Sequence, residues 1–252
     1  MRYMTDLTDS QWRIIEPFFS NEKRGEHLTK HNKRELVNAV LYLNKTGCGW
    51  RLLPKCFPSH NTVWSFYRRA KKSGLWEKVM DTLVMKTRFE SGKAFCPTYT
   101  IIDSQSVKTT LAADDRGIDG GKKVKGRKRH IAIDTMGNIL FIKVHAANIH
   151  DTNYGAIVLA KAKRKYQTIK AVCGDAGYLK TFEEAAHKIV DKVDIVKRNQ
   201  KGWAVLPKRW LVERTFSWLN HFRRLSKDYE VRTASAESMI AISHMATLLK
   251  RF

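Results

Sequence analysis

The hydrophobic pattern of this chain changes period once, near residue 97, and that change limits the fold more than any other feature. Before it, apolar residues recur at helical spacing. Trp12, Ile14 and Ile15 follow a capping box at Thr8-Asp9-Ser10-Gln11, and Leu36, Val37, Val40, Leu41 and Leu43 line a segment ended by Gly47 and Gly49. Pro54 and Pro58 then bracket a turn, after which Ser59 can cap a helix through Thr62, Val63, Phe66 and Tyr67 into Arg68, Arg69, Lys71 and Lys72, broken at Gly74. Helix, tight turn, capped basic helix is the outline of a helix-turn-helix, whose second helix would lie in a major groove.

After residue 97 the runs are short and β-like. Tyr99 to Asp103, Arg129 to Asp134 and Ile139 to His145 read as three strands, the last two joined by the turn Thr135-Met136-Gly137-Asn138, so an antiparallel meander is expected. Asp151 can cap a helix through Tyr154, Ile157 and Leu159, followed by a strand ending at Asp175, a helix near Phe182 to Ile189, a short strand at Val193 to Val196 and a long helix carrying Glu213. Strands followed by alternating helix and strand predict a mixed α/β sheet. The expected organisation is therefore an all-α unit over residues 1–92 and an α/β unit over residues 93–252.

Charge narrows the function. Forty-seven Lys and Arg face 24 Asp and Glu, a formal net charge of +23. The surplus is not a tail: residues 1–96 hold 18 basic and 9 acidic side chains, and both units are basic. A polyanion is the natural partner, nucleic acid first. No apolar run approaches the ~18 residues that span a bilayer, the N-terminus has no apolar signal segment, and Cys48, Cys56, Cys96 and Cys173 show no paired spacing. A reducing cytoplasm and no membrane partner are expected.

Two strand ends and one helix supply the candidate chemistry. Asp103 and Asp175 each close an apolar run, where a sheet can present carboxylates without burying charge in its apolar layer. Around the Glu213 helix, Leu211, Val212, Thr215, Phe216, Leu219 and Phe222 share one arc, with Trp210 and Trp218 read as core, while Arg209, Glu213, Asn220 and Arg224 form a polar strip at its edge. Glu213 can serve as a third acid or merely pair with Arg209. The Gly-rich and basic stretch from Leu111 to Lys128 reads as a solvated loop or a phosphate-contacting arm; Asp134 reads as a turn residue, and His150 as a surface histidine. Trp203 is a candidate for stacking on an unpaired base.

Several motifs occur together in order: Leu7-Thr8-Asp9-Ser10-Gln11-Trp12, Gly49-Trp50-Arg51-Leu52-Leu53-Pro54, Ile102-Asp103-Ser104-Gln105-Ser106-Val107-Lys108-Thr109, Gly121 to His130, Gly174-Asp175-Ala176-Gly177-Tyr178 and Arg209 to Phe216. In these the chain resembles the DDE transposases of bacterial insertion sequences, most closely insertion-sequence family five. The resemblance implies an RNase H-like catalytic domain with Asp103, Asp175 and Glu213 as catalytic and metal-binding triad, behind a helical domain that binds the element's ends. Two Mg²⁺ ions, replaceable by Mn²⁺, suit an all-oxygen donor set.

The implied partners are double-stranded DNA, both transposon end and target, and a second copy of the chain in a dimeric or larger synaptic complex. The implied location is the bacterial cytoplasm, at the nucleoid when DNA is bound. Candidate DNA contacts are Arg68, Arg69, Lys71, Lys72, Lys108, Lys122, Lys123, Lys125, Arg127, Lys128, Arg129, Trp203, Arg209, Arg223 and Arg224. The extended Tyr-Arg-Glu-Lys signature of related enzymes is matched at Arg209 and Glu213 and broken by Leu206 and Asn220. A DNA-binding regulator and a nuclease that cuts without joining are the competing functions.

Overall fold

A computed structural model describes residues 2–20, 31–196 and 209–252, with the side chain of Arg209 outside that set. The helical part contains α1 (Asp9–Phe19), α2 (Lys33–Thr46), α3 (His60–Lys72) and α4 (Leu75–Glu90). Their ends form as the sequence directs. Thr8 accepts from the Gln11 backbone while the Gln11 side chain returns to Thr8, Ser59 caps α3 by accepting from Thr62, and Gly47 and Gly74 take the left-handed conformation at φ 72° and 67°. Pro17 lies inside α1, which continues to Phe19 rather than stopping at the proline.

Among the described residues six strands make one sheet: β1 (Tyr99–Lys108), β2 (Gly117–Asp119), β3 (Val124–Ile133), β4 (Ile139–Ala146), β5 (Ala171–Asp175) and β6 (Lys192–Val196). β4, β3 and β1 are successively antiparallel, as expected, and β5 and β6 add parallel to β1 on its other side. Helix α5 (Asp151–Lys165) connects β4 to β5 and α6 (Thr181–His187) connects β5 to β6. This order and these directions are the RNase H-like arrangement.

The basic stretch expected as a loop is partly sheet. Its middle forms β2, and Val124 to Lys128 begin β3, paired to β1 as far as Lys108 opposite Gly126. Gly126 is required there, because a Cβ would stand 2.0 Å from the Val107 carbonyl oxygen.

Helix α7 (Arg209–Asn220) packs on β1, and the C-terminal α8 (Thr233–Leu249) packs against α2, α4, α7 and β4. α8 is buried on nearly every face, from Ala236 to Leu249, which marks a helix at the centre of the molecule. Asn44 of α2 donates to Ser243 Oγ at 2.9 Å and to the Met239 carbonyl at 3.1 Å, a buried polar tie between the helical part and α8. One cluster of buried apolar residues runs from Leu7 to Leu249.

His244 of α8 gives the fold a measurable pH dependence. The Ile139 amide can only donate, so His244 Nε2, 3.0 Å away, accepts and the ring is neutral. Burial, then the charge of Arg251, pushes its pKa down to about 3. The unfolded ring titrates near 6.5, so the unfolded state binds the extra proton as pH falls below that value. Stability is complete above about 6.5 and is lost progressively toward about 3. At pH 5 the loss should reach about 2 kcal/mol from this residue alone. A urea midpoint series from pH 7.5 to 5 checks it; a His244→Gln variant with an unchanged slope would refute the assignment.

Candidate active site and its basic surroundings

The offset between β1 and β5 brings two of the three acids to one place. Tyr99 stands opposite Ala171 and Ile101 opposite Cys173, the last pair of the ladder; the same offset of 72 positions, continued two residues further, would set Asp103 level with Asp175 on the same face. Adjacent strands lie about 4.8 Å apart, which would set the two residues side by side where β5 ends. Asp175 closes β5 as expected, but Asp103 does not close β1: that strand continues to Lys108, paired with β3. Asp103 Oδ1 accepts from the Ser104 amide at 2.7 Å, and Asp175 Oδ1 accepts from the Gly177 amide at 2.9 Å, capping a short 3-10 turn at Ala176–Tyr178. Glu213 is solvent-exposed on α7, the helix that packs on β1.

The chain behind this edge is tightly specified. Tyr178 is buried, and its ring fits because Gly155 and Gly174 lack a Cβ; one on Gly155 would meet Tyr178 at 2.7 Å. Burial first, then the charges of Asp103, Asp151 and Asp175, push the Tyr178 hydroxyl well above its ordinary pKa, so all three acids lie within electrostatic reach of it. The hydrogen-bond directions beyond it follow from one carbonyl. Ala146 O can only accept, so His145 Nδ1 donates to it at 3.0 Å and His145 Nε2 is left to accept from His130 Nδ1 at 3.4 Å. His130 Nε2 then accepts the Tyr178 hydroxyl proton at 2.8 Å. Both histidines are neutral; burial lowers the pKa of each, that of His130 to about 3. The tyrosine proton is therefore directed to His130.

The alternation Asp103-Ser104-Gln105-Ser106 divides between faces. Asp103 and Gln105 face one side of β1, while Ser104 Oγ donates to Asp151 at 2.8 Å and Ser106 Oγ donates to Asp119 at 2.5 Å on the other. Asp151 is not the cap of α5: His150 is, by accepting from the Thr152 amide, and Asp151 instead takes a 3.0 Å contact from Lys128 Nζ. Burial opposes the Asp151 charge, but the bonds from Ser104 and Lys128 outweigh it and hold the carboxyl below its usual range. Asp134 is more than a turn residue. It accepts from Met136 and Asn138 and forms a buried ion pair with Arg88 at 2.6 Å.

All-oxygen donors at one edge suit a hard divalent cation, and Asp103 with Asp175 supply two. Among the described residues no three His, Cys, Asp or Glu side chains are grouped closely enough to hold an ion. The geometry therefore provides a pair of aspartates, with the glutamate on the neighbouring helix.

The basic residues separate into surface and interior. Arg68, Arg69 and Lys72 are exposed on α3, Arg68 lying over the Trp64 ring, whereas Lys71 donates to Ser235 Oγ at 2.8 Å. Lys108, Lys122, Lys123, Lys125 and Arg223 are exposed, and Lys122 Nζ reaches the Ser104 carbonyl at 3.3 Å, beside Asp103. Arg127, Lys128 and Arg129 are interior, not part of a solvated arm. Arg127 binds Asp114, Asp228 and three backbone carbonyls; Lys128 binds Asp151 and the Ile149 carbonyl. Arg129 donates to the Leu225 carbonyl at 2.8 Å, its Nε has no partner among the described residues, and burial lowers its pKa to about 10.

Arg224 pairs with Glu230 at 2.6 Å. Trp210 is 45% exposed rather than core, and Arg214 lies between its ring and that of Trp218. Trp203 and Leu206 lie outside the described residues. Among the described residues no helix is long and apolar enough to cross a membrane.

Comparison with known proteins gives two family matches. Residues 7–80 match the family described as "Putative transposase of IS4/5 family", and residues 94–249 match "Transposase DDE domain". A relative from Burkholderia cepacia, "Putative transposase for insertion sequence element IS402", is 32% identical over 116 residues, which is 42% of this chain and 55% of that protein. The chain thus spans about half the length of that relative. Two solved structures share 14% and 10% identity: the Drosophila P element transposase strand transfer complex (TM-score 0.36, 76% of this chain and 45% of that one) and the Mos1 mariner paired end complex with Mn (TM-score 0.31, 95% and 83%).

Proposed function

The chain belongs to the transposase DDE-domain family, and from that premise we propose that it binds the terminal inverted repeats of an insertion sequence, cleaves the element's ends and joins the freed 3′ hydroxyl to target DNA. The observation that supports this reading is the β1–β5 offset of 72 positions, which, continued beyond the last paired residues, would set Asp103 level with Asp175, with Glu213 on the helix packed against the same strand.

In this reading Asp103, Asp175 and Glu213 would hold two Mg²⁺ ions, for which Mn²⁺ could substitute. Bound there, the ions would lower the pKa of a water or hydroxyl nucleophile and stabilise the leaving oxygen of an in-line displacement. The chain's own part is placement. β1 and β5 fix the two aspartates on rigid strands, and the Asp175 carboxylate is oriented by the Gly177 amide. Lys122 stands where a phosphate beside Asp103 would meet a cation. Tyr178 orients without taking part, since its proton is committed to His130. The helical unit over residues 1–92 would dock its exposed α3 face, with Arg68, Arg69 and Lys72, into a major groove. Because two ends must meet, the working form is a dimer or larger complex on DNA, in the cytoplasm at the nucleoid.

Incubation of the purified chain with Mg²⁺ or Mn²⁺, duplex from the element's own ends and a supercoiled target tests this directly. The expected products are ends carrying a free 3′ hydroxyl and covalent joints to the target. Cutting without joints would assign a nuclease, and binding without cutting would assign a regulator.

A further inference from the structure

We propose that a recess between the β1 end, the loop before β2, the β2–β3 turn and the segment after α7 holds one backbone phosphate of the bound DNA, remote from the cut. The proposal rests on the DNA-binding reading above. The recess measures about 270 Å³ and is lined by Lys108, Thr109, Leu111, Arg116, Lys123, Lys125 and Lys227. Five of those seven are cationic and none is acidic.

Three of the nearby carboxylates are committed elsewhere, and Asp115, exposed beside Arg116, is not among the lining residues. Asp114 and Asp228 are bound to Arg127, while Asp119 accepts from Ser106 and from the Gly121 and Lys122 amides. Five like charges around one hollow repel each other until an anion enters, and a phosphate is the anion that a polyanionic duplex offers.

The walls are fastened rather than loose. The Asp228 amide donates to the Lys108 carbonyl at 2.9 Å, Thr110 donates back to the Asp228 carbonyl, and buried Arg127 ties the loop at Asp114 to the Glu230 and Val231 carbonyls. Lys123 sits at φ 51°, a backbone conformation that costs a non-glycine residue and recurs where structure is held for function. Position adds a prediction. Lys108 is five residues along β1 from Asp103, about 17 Å at ~3.4 Å per residue. That equals roughly five base-pair steps of duplex at ~3.4 Å each.

The test uses the full chain, an end-sequence duplex and a set of the same duplex with single phosphates replaced by uncharged methylphosphonates. Lys108→Gln/Lys125→Gln is compared with wild type, with thermal unfolding to confirm folding and Lys123→Gln/Lys227→Gln as a second pair. Wild type should lose affinity at one methylphosphonate position about five steps from the cut, both Gln pairs should be insensitive there, and their log affinity against log salt should flatten by about 0.9. Lys108→Arg/Lys125→Arg should restore the sensitivity. Gln pairs that keep the wild-type slope and profile would overturn the recess while leaving the proposed function standing. Wild type without salt-dependent duplex binding would overturn both.

Discussion

Asp175→Asn is expected to reduce end cleavage at least about 10³-fold, since a carboxylate on a catalytic ion supplies several kcal/mol and each 1.36 kcal/mol is a factor of ten. The variant keeps the shape of the site. Asparagine retains an oxygen that can accept from the Gly177 amide, so the 3-10 turn and buried Tyr178 should stay in place. Duplex affinity and the unfolding midpoint should therefore hold while the rate falls. Asp103→Asn should match it, because an asparagine oxygen there can likewise accept from the Ser104 amide. The double variant should be little worse than either single one, as groups acting through one centre are not additive. Single-turnover cleavage at saturating DNA decides the matter: Asp175→Asn within tenfold of wild type would remove the aspartate pair from the chemistry.

Part of this site was legible because an apolar run closing on an aspartate marked both Asp103 and Asp175, and their interval in sequence is also the offset of the two strands in the sheet. Only Asp175 ends its strand; β1 continues past Asp103 to Lys108, because the polar Ser104 to Lys108 segment pairs with the distant β3, which local pattern does not reveal. The caps at Thr8 and Ser59 and the turn at Gly137 were legible for the same local reason, since each depends on residues within one turn. What failed depended on partners far away in the chain. Arg127 looked like a member of a basic loop, and Arg129, at the head of an expected strand, like a DNA contact, because nothing near them reveals that Asp228 and the Leu225 carbonyl lie opposite.

Asp151 was assigned a local cap when Ser104 and Lys128, both remote, had already claimed it. α8 left no periodic signal because it is buried almost all round, and α4 went unassigned beyond Gly74 although it packs on α8. The burial expected for Trp210 was wrong for a related reason: the α7 wheel counts an indole as apolar, whereas Arg214 stacked between two indoles allows one to face solvent.

Arg127→Met should cost about 3–5 kcal/mol of stability, the range for removing one partner of a buried ion pair. The arginine is fully buried and Asp228 is 2% exposed, so the substitution strands a carboxylate in the interior. It also strands the Glu230 carbonyl, to which Arg127 Nη1 donates at 2.9 Å, and the Asp114 carbonyl, to which Nε donates at 3.0 Å. Against a total of ~5–15 kcal/mol for a domain, that loss is a large fraction. Methionine fills similar volume, so a cavity is not the cause. Adding Asp228→Leu should therefore recover part of the loss, since an apolar pair can replace a buried ion pair at little net cost. The Glu230 amide, which donates to Asp228 at 3.0 Å, limits that recovery. Urea unfolding with an unchanged denaturant slope gives the measure. If Arg127→Met unfolds at the wild-type midpoint yet binds duplex with a flatter salt dependence, the arginine belongs to the DNA surface and the buried cluster is misassigned.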